Sequence, residues 1–378
     1  MTVPILDLKR SFSEIKPEVS AAIERVFASQ GFILGREVSV FEKHCEKYLE
    51  LPEGSCVGCA SGTDALLLAL MASDLKAGDE VITTPFTFFA TAGAIARLGG
   101  VPVFVDVEPS TYNIDLQHVM DKVTAKTKVF LPVHLFGQMS PIEEITPLLQ
   151  ARGIKVIEDA AQAFGSVRNV GMEIERAGCV GDIGCYSFFP TKNLGGCGDG
   201  GMVVSAHKDT VERLRRLRVH GSGTTYYHDE IGINSRLDAM QAAILDIKLR
   251  HLDEWNEQRR KAAEYYKLLF KAKGLHEFLS MPEELPGNVH IWHQYVVRVK
   301  DRRDELMAFL EDKGVSARVY YPLPLHLQPC FRYLGYKEGD FPVSEELSRE
   351  VMALPVYPGL TQSEQEEVAV RIAEFFTK

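Results

Sequence analysis

The residues best suited to chemistry surround Lys192, which closes the stretch Cys185-Tyr-Ser-Phe-Phe-Pro-Thr-Lys192 and is followed at once by Asn193-Leu-Gly-Gly-Cys-Gly-Asp-Gly-Gly201. A lysine amine attacks a carbonyl at neutral pH only when burial or a nearby cation pulls its pKa down. Small residues around it let a planar ring approach the backbone. The chemistry this suggests is the holding of a carbonyl cofactor, and pyridoxal phosphate is the candidate ring. A lysine beside glycines is by itself more often a solvated or anion-touching side chain, so the case rests on its companions.

Residues Ser55 to Ala60 read as a strand running into Ser61-Gly-Thr-Asp64 and then Ala65-Leu-Leu-Leu-Ala-Leu-Met71, a strong helix former. Such a helix start offers free N–H groups, the positive end of the macrodipole and the hydroxyls of Ser61 and Thr63 to a phosphate. A plain helix cap is the other use of those hydroxyls. Asp159 ends the strand beginning at Ile154, and Ala160-Ala-Gln162-Ala after it leaves room above the carboxyl end of a sheet, where ligands bind. A carboxylate there can keep a pyridine nitrogen protonated, making the ring an electron sink; it can also cap a helix.

Ser187 offers a further hydroxyl, and Phe88 can stack on a ring face or fill the core. In Gly232-Ile-Asn-Ser-Arg-Leu-Asp238, Asn234 and Arg236 supply an amide and a two-pronged donor for phosphate or carboxylate, or one half of a structural ion pair. His134, His220 and His326 lie in loop-like contexts, where a lone histidine is more often satisfied by its surroundings than catalytic.

The elements that must position these groups follow from the apolar pattern. Short β-branched runs at 80–84, 101–105, 128–133, 155–158 and 202–205 alternate with helical stretches at 90–98, 116–123 and 142–152, the last opened by Pro141. That alternation predicts a mostly parallel sheet covered by helices. Residues 237–271 read as one or two long helices. Beyond them the pattern predicts a strand over 289–299, a helix over 304–313 ended by Gly314, an extended run over 315–320 and a closing helix over 364–376. We expect a large α/β domain over residues 1–245, with an N-terminal helical arm, and a linking helix with a small α+β domain over 246–378.

Hydrophobic residues make up 46% of the 378 and charged residues 25%, a globular balance, while a net charge of -10 without a basic run argues against a backbone-tracking nucleic-acid binder. No apolar run reaches bilayer length and the first ten residues lack a leader's layout, so a cytoplasmic protein is expected. Seven cysteines at irregular spacing suit reduced thiols. Cys56-Val-Gly-Cys59 has no second pair to build a zinc site, and Cys197 has no flanking His or Arg to make it a nucleophile; no metal is expected. The absence of GxGxxG and of a Walker loop argues against nicotinamide and nucleotide-hydrolysing chemistry.

Five motifs then occur in order: Ser61-Gly-Thr-Asp-Ala65, Glu158-Asp-Ala-Ala-Gln162, Ser187-Phe-Phe-Pro-Thr-Lys192, Gly198-Asp-Gly-Gly201 and Asn234-Ser-Arg-Leu-Asp238. Together with Tyr321-Pro-Leu-Pro-Leu-His-Leu-Gln328 they resemble the DegT/StrS family of pyridoxal-phosphate sugar aminotransferases over nearly the whole chain. The resemblance implies the aspartate-aminotransferase fold (PLP fold type I): a mostly parallel seven-stranded sheet with helices on both faces and a smaller C-terminal α+β domain. It also implies a homodimer with its active sites at the subunit interface.

By the same resemblance Lys192 matches the cofactor-binding and proton-shuttling lysine, Asp159 the pyridinium partner, Gln162 the group near the ring hydroxyl and Phe88 the stacking aromatic. Gly62, Thr63 and Ser187 match phosphate ligands, and Asn234 the one reached from the other subunit. Arg236, Tyr320, Tyr321 and His326 fall at substrate positions. Many members carry histidine where this chain has Tyr320, so that sugar contact changes or is lost here. The implied reaction moves an amino group from L-glutamate, through pyridoxamine phosphate, to a UDP- or dTDP-linked ketosugar, in amino-sugar synthesis for lipopolysaccharide or other surface glycans. The form of the 232–238 motif resembles members acting at C3 more than those acting at C4. Related dehydratases replace the lysine with histidine, which Lys192 argues against, and a regulatory relative without turnover is the remaining alternative.

Overall fold

The computed structural model describes residues 2–224 and 226–377. Its centre is a seven-stranded sheet: β1 (Cys56–Cys59), β2 (Glu80–Thr83), β3 (Val101–Phe104), β4 (Thr127–Phe130), β5 (Lys155–Asp159), β6 (Ile183–Ser187) and β7 (Gly201–Val204), in the spatial order β1-β7-β6-β5-β4-β2-β3. Pairs β6/β5, β5/β4, β4/β2 and β2/β3 are parallel, and β7 runs antiparallel to both of its neighbours. Six strands therefore point the same way, and their carboxyl ends share one edge of the sheet.

Both faces are covered, as the unbroken apolar character of the strands requires. On one face, helices α1 (Leu8–Ser29) and α2 (Arg36–Leu49) and the helix Ala239–Leu249 bury Val19, Phe41 and Leu245 against Tyr186 and Met202. On the other, α3 (Gly62–Ala72) and the helix Lys208–Leu217 pack Leu66, Leu68 and Leu214 onto Val57, Ile157 and Val203. Residues 65–70 of α3 are all buried, and each of its leucines contributes about 1.5–3 kcal/mol of burial. This places the start of α3 firmly at the sheet edge.

A second core lies C-terminal to this one. The helix Leu252–Ala272, the antiparallel strands Leu279–Ser280, Tyr295–Val299 and Val351–Leu354, and the helices Arg303–Asp312 and Gln362–Thr377 enclose Tyr266, Phe270, Val297 and Leu310. Together the two cores match the expected fold class.

Three local expectations are corrected. Residues 116–123 form two short 3-10 turns, because the Asp115 carboxylate accepts from Gln117 N at 3.0 Å and tightens the start. The helix expected from Pro141 begins only at Ile145, so that Pro147, which has no N–H to donate, falls in its first turn where none is needed. The run 289–299 is not one strand. Asn288–Val289 pairs with Val167–Val170, and Trp292 then turns at φ +49° with its N–H bonded to His290 Nδ1 before Tyr295–Val299 joins the other sheet. Residues 315–320 are extended but make only isolated bridges, Val3 to Val315 and Arg318 to Ala353. Cys56 and Cys59 pack into cores on opposite faces of the sheet, which rules out a shared metal.

Candidate active site

The shared strand edge opens into a cavity of about 480 Å³. β1 leads through Ser61 into α3, β2 leads to Thr87 and Phe88, β5 ends on Asp159 and β6 on Ser187. Lys192 stands in the loop between the antiparallel pair β6 and β7, and Tyr320 and Tyr321 reach over from the C-terminal part. Of the twelve residues singled out in the sequence, nine border this one space: Gly62, Thr63, Phe88, Asp159, Gln162, Ser187, Lys192, Tyr320 and Tyr321.

At the start of α3, Ser61 Oγ accepts from Asp64 N at 3.1 Å, as a cap should. The N–H groups of Gly62 and Thr63 have no acceptor among the described residues, and both residues border the cavity. Ser187 Oγ lies beside them. A Cβ on Gly62 would come to 2.5 Å of Ser187 Cβ, so only glycine lets the helix start and the end of β6 meet. Two free N–H groups, a helix dipole and a hydroxyl form an anion cradle.

Asp159 is 5% exposed. Oδ2 accepts from Thr91 Oγ1 at 2.8 Å, Thr91 Oγ1 is itself 3.2 Å from Thr87 Oγ1, and Oδ1 accepts from Ala161 N at 3.2 Å. Burial pushes its pKa up against those bonds and the charge of Lys192. Burial likewise lowers the Lys192 amine to about 8, opposed by the charge of Asp159. Asp159 makes no ion pair among the described residues, so it is a buried anion awaiting a cation.

Gln162 spans the cavity's far side, its Oε1 accepting from Phe136 N at 2.7 Å and its Nε2 donating to Tyr321 Oη at 2.9 Å. Phe88 is 57% exposed, an uncommon fraction for a large apolar ring, and lies 6.4 Å from the ring of Tyr321. Cradle, cation-seeking carboxylate, deprotonatable lysine and exposed ring together fit pyridoxal phosphate, whose phosphate, ring nitrogen and aldehyde would be held by the start of α3, by Asp159 and by Lys192 respectively.

The remaining three predicted residues do not join them. His326 is buried, with Nε2 3.0 Å from Glu345 Oε1, and does not border the cavity. Asn234 is exposed on a backbone bridge to Val219, and Arg236 is half-buried with no ion pair or hydrogen bond among the described residues. His134 is also a core residue, set between Glu158 and Ser140 N, while His220 is exposed at φ +64°. Sequence reasoning missed Thr87, Thr91, Asp199 and His293. Thr87 and Thr91 stand four residues apart on either side of Phe88, a helical spacing and a usable signal; His293 lies in a run that reads as a strand and gave none.

A family model described as DegT/DnrJ/EryC1/StrS aminotransferase family matches residues 13–373. The chain is 49% identical to the pleiotropic regulatory protein of Geobacillus stearothermophilus, covering 100% of this chain and 99% of that one. It is 41% identical to a UDP-N-acetyl-3-dehydro-alpha-D-glucosamine 3-aminotransferase of Acidithiobacillus ferrooxidans, over 98% and 96% of the two chains. Among solved structures it superposes with a TM-score of 0.94 on S. venezuelae DesV in complex with ketimine intermediate, at 37% identity over 100% of this chain and 99% of that one.

Proposed function

The chain belongs to the DegT/DnrJ/EryC1/StrS aminotransferase family, and from that premise we propose that it moves the amino group of L-glutamate onto C3 of a nucleotide-linked ketohexose. It is a pyridoxal-phosphate enzyme. The bound cofactor supplies an electron sink that stabilises the carbanion formed when a carbon next to the exchanged nitrogen loses its proton. The chain's own residues do the rest.

In this reading the start of α3 and Ser187 hold the phosphate, Asp159 keeps the ring nitrogen protonated and Gln162 holds the ring hydroxyl. Phe88 covers one ring face. Lys192, with its amine at about 8, is neutral often enough to remove a proton and charged often enough to return it, which is what a shuttle between two carbons needs. The observation that carries the proposal is the convergence of this depressed lysine and the unpaired Asp159 beside a free helix N-terminus in one cavity.

The C3 preference rests on the 232–238 motif and on the 3-aminotransferase relative. We place Asn234 and Arg236 in the neighbouring subunit's site within a homodimer, consistent with exposed Asn234 and with Ile231 and Tyr227 at 92% and 74% exposure beside it. All seven cysteines are free, in keeping with a reducing cytoplasm. No helix among the described residues is long and apolar enough to cross a membrane.

The test is the visible spectrum of cofactor-loaded wild type and Lys192→Ala, with and without L-glutamate. We expect a lysine-dependent band that glutamate bleaches in wild type, and a fall of about 10⁴-fold in the glutamate reaction in the variant. A regulatory role without turnover predicts no bleaching at all; the Geobacillus relative carries the name pleiotropic regulatory protein.

A further inference from the structure

His293 borders the cavity beside Lys192 and has no part in the mechanism above. Its protonation is fixed by its neighbours. The Ile291 carbonyl can only accept, so the Asn193 group 3.0 Å from it is Nδ2, which also donates to Asn256 Oδ1 at 2.7 Å. Asn193 Oδ1 therefore faces His293 Nδ1 at 3.2 Å, and Nδ1 must carry the proton. Burial, aided by the charges of Lys192 and Arg259, holds the imidazole pKa far below its usual range. The ring is neutral, and Nε2 bears a lone pair.

That lone pair is open. His293 is 6% exposed, Nε2 has no partner among the described residues, and it is not among the atoms sealed from solvent. Behind it, Arg259 Nη1 donates to the carbonyls of Trp292 at 3.2 Å, His293 at 3.4 Å and Val356 at 2.8 Å, which fixes the backbone that carries the ring. A rigid, acceptor-only atom at a ligand cavity selects a ligand that donates. Carboxylate oxygens and the diphosphate-ester oxygens of a nucleotide sugar carry no proton to donate at neutral pH, whereas sugar hydroxyls do.

Resting on the functional reading above, we infer that His293 Nε2 accepts a hydrogen bond from a hydroxyl of the sugar substrate, which makes His293 a specificity residue of the sugar half-reaction alone. The amine being transferred is also a donor, but it is present in both half-reactions, so a contact to it would slow both.

Two variants separate the roles of the two ring nitrogens. In His293→Asn the amide N–H can stand in for Nδ1 toward Asn193 while nothing occupies the place of Nε2. In His293→Gln the longer side chain can bring an acceptor oxygen to that place but gives up the Asn193 bond. Single-turnover rates of the cofactor-loaded proteins are measured with L-glutamate, and in the reverse sugar direction with UDP-3-amino-3-deoxy-N-acetylglucosamine as probe. We expect His293→Asn to keep its thermal midpoint and its glutamate rate but to lose about 10-fold on the amino sugar, mostly as a raised KM. His293→Gln recovers part of that loss although its thermal midpoint falls.

Equal losses in both half-reactions, no loss in His293→Asn, or a sugar rate lower in Gln than in Asn would each overturn the inference. If wild type bleaches with glutamate yet reacts neither with this probe nor with a dTDP-linked 3-amino sugar, the sugar reading fails and this inference falls with it.

Discussion

Glu158 and Asp159 are adjacent carboxylates on β5, both buried, and they are treated in opposite ways. Glu158 accepts from His134 Nε2 at 2.7 Å, from Gly178 N and Val180 N at 2.7 Å and from Gly181 N at 2.6 Å. Its charge is fully met inside the chain. Asp159, on the other face of the strand, receives one hydroxyl and one N–H and turns the rest of its capacity to the cavity. A buried carboxylate with four donors is structure; one with two donors and an open side is a site held ready for a cation. The period-2 alternation of a strand lets one pair of residues serve both ends.

The contrast can be broken most sharply at Glu158. Glu158→Gln turns an amide toward backbone N–H groups that need an acceptor, and we expect a loss of about 3 kcal/mol in denaturant unfolding with turnover per folded molecule preserved. A loss below about 1 kcal/mol would erase the distinction. Asp159→Asn should do the reverse: turnover falls about 10²-fold while the thermal midpoint of the cofactor-free protein holds or rises, because an unpaired buried charge has been removed.

Thr91→Val removes the hydroxyl on Oδ2 and is expected to cost about 1 kcal/mol of stability and to weaken cofactor binding several-fold by titration. The smallest effect concerns pH. The Lys192 amine titrates at about 8 when folded and near 10.4 when unfolded, so between those values the unfolded chain holds more protons. Cofactor-free wild type should therefore gain stability relative to Lys192→Met as pH rises from about 8 to about 10; the opposite slope would mean a solvated amine.

The sheet, its parallel sense and the groups at its edge are legible because strand ends, helix starts and small-residue loops are local patterns. Ser61 with Gly62, Asp159 and Lys192 each announce themselves within a few residues. What stays hidden is decided by contact across distance. Glu158 and Asp159 look alike in the chain, and only the arrival of residues 178–181 separates them. His326 sits in a persuasive motif, yet Glu345, nineteen residues on, takes it into the core. His293 falls in an alternating run that Trp292 breaks by turning at φ +49°, a conformation that alternation of side chains cannot reveal.

The bond between Asn193 and His293 joins residues one hundred positions apart, and Gln162 meets Tyr321 across 159. A nascent chain that has emerged only as far as β7 already owns the lysine, the acid and the phosphate cradle, yet the wall that closes over them has not been synthesised. The cavity is therefore complete only once residue 321 has been made, so a finished site is a property of the whole chain and of no earlier fragment.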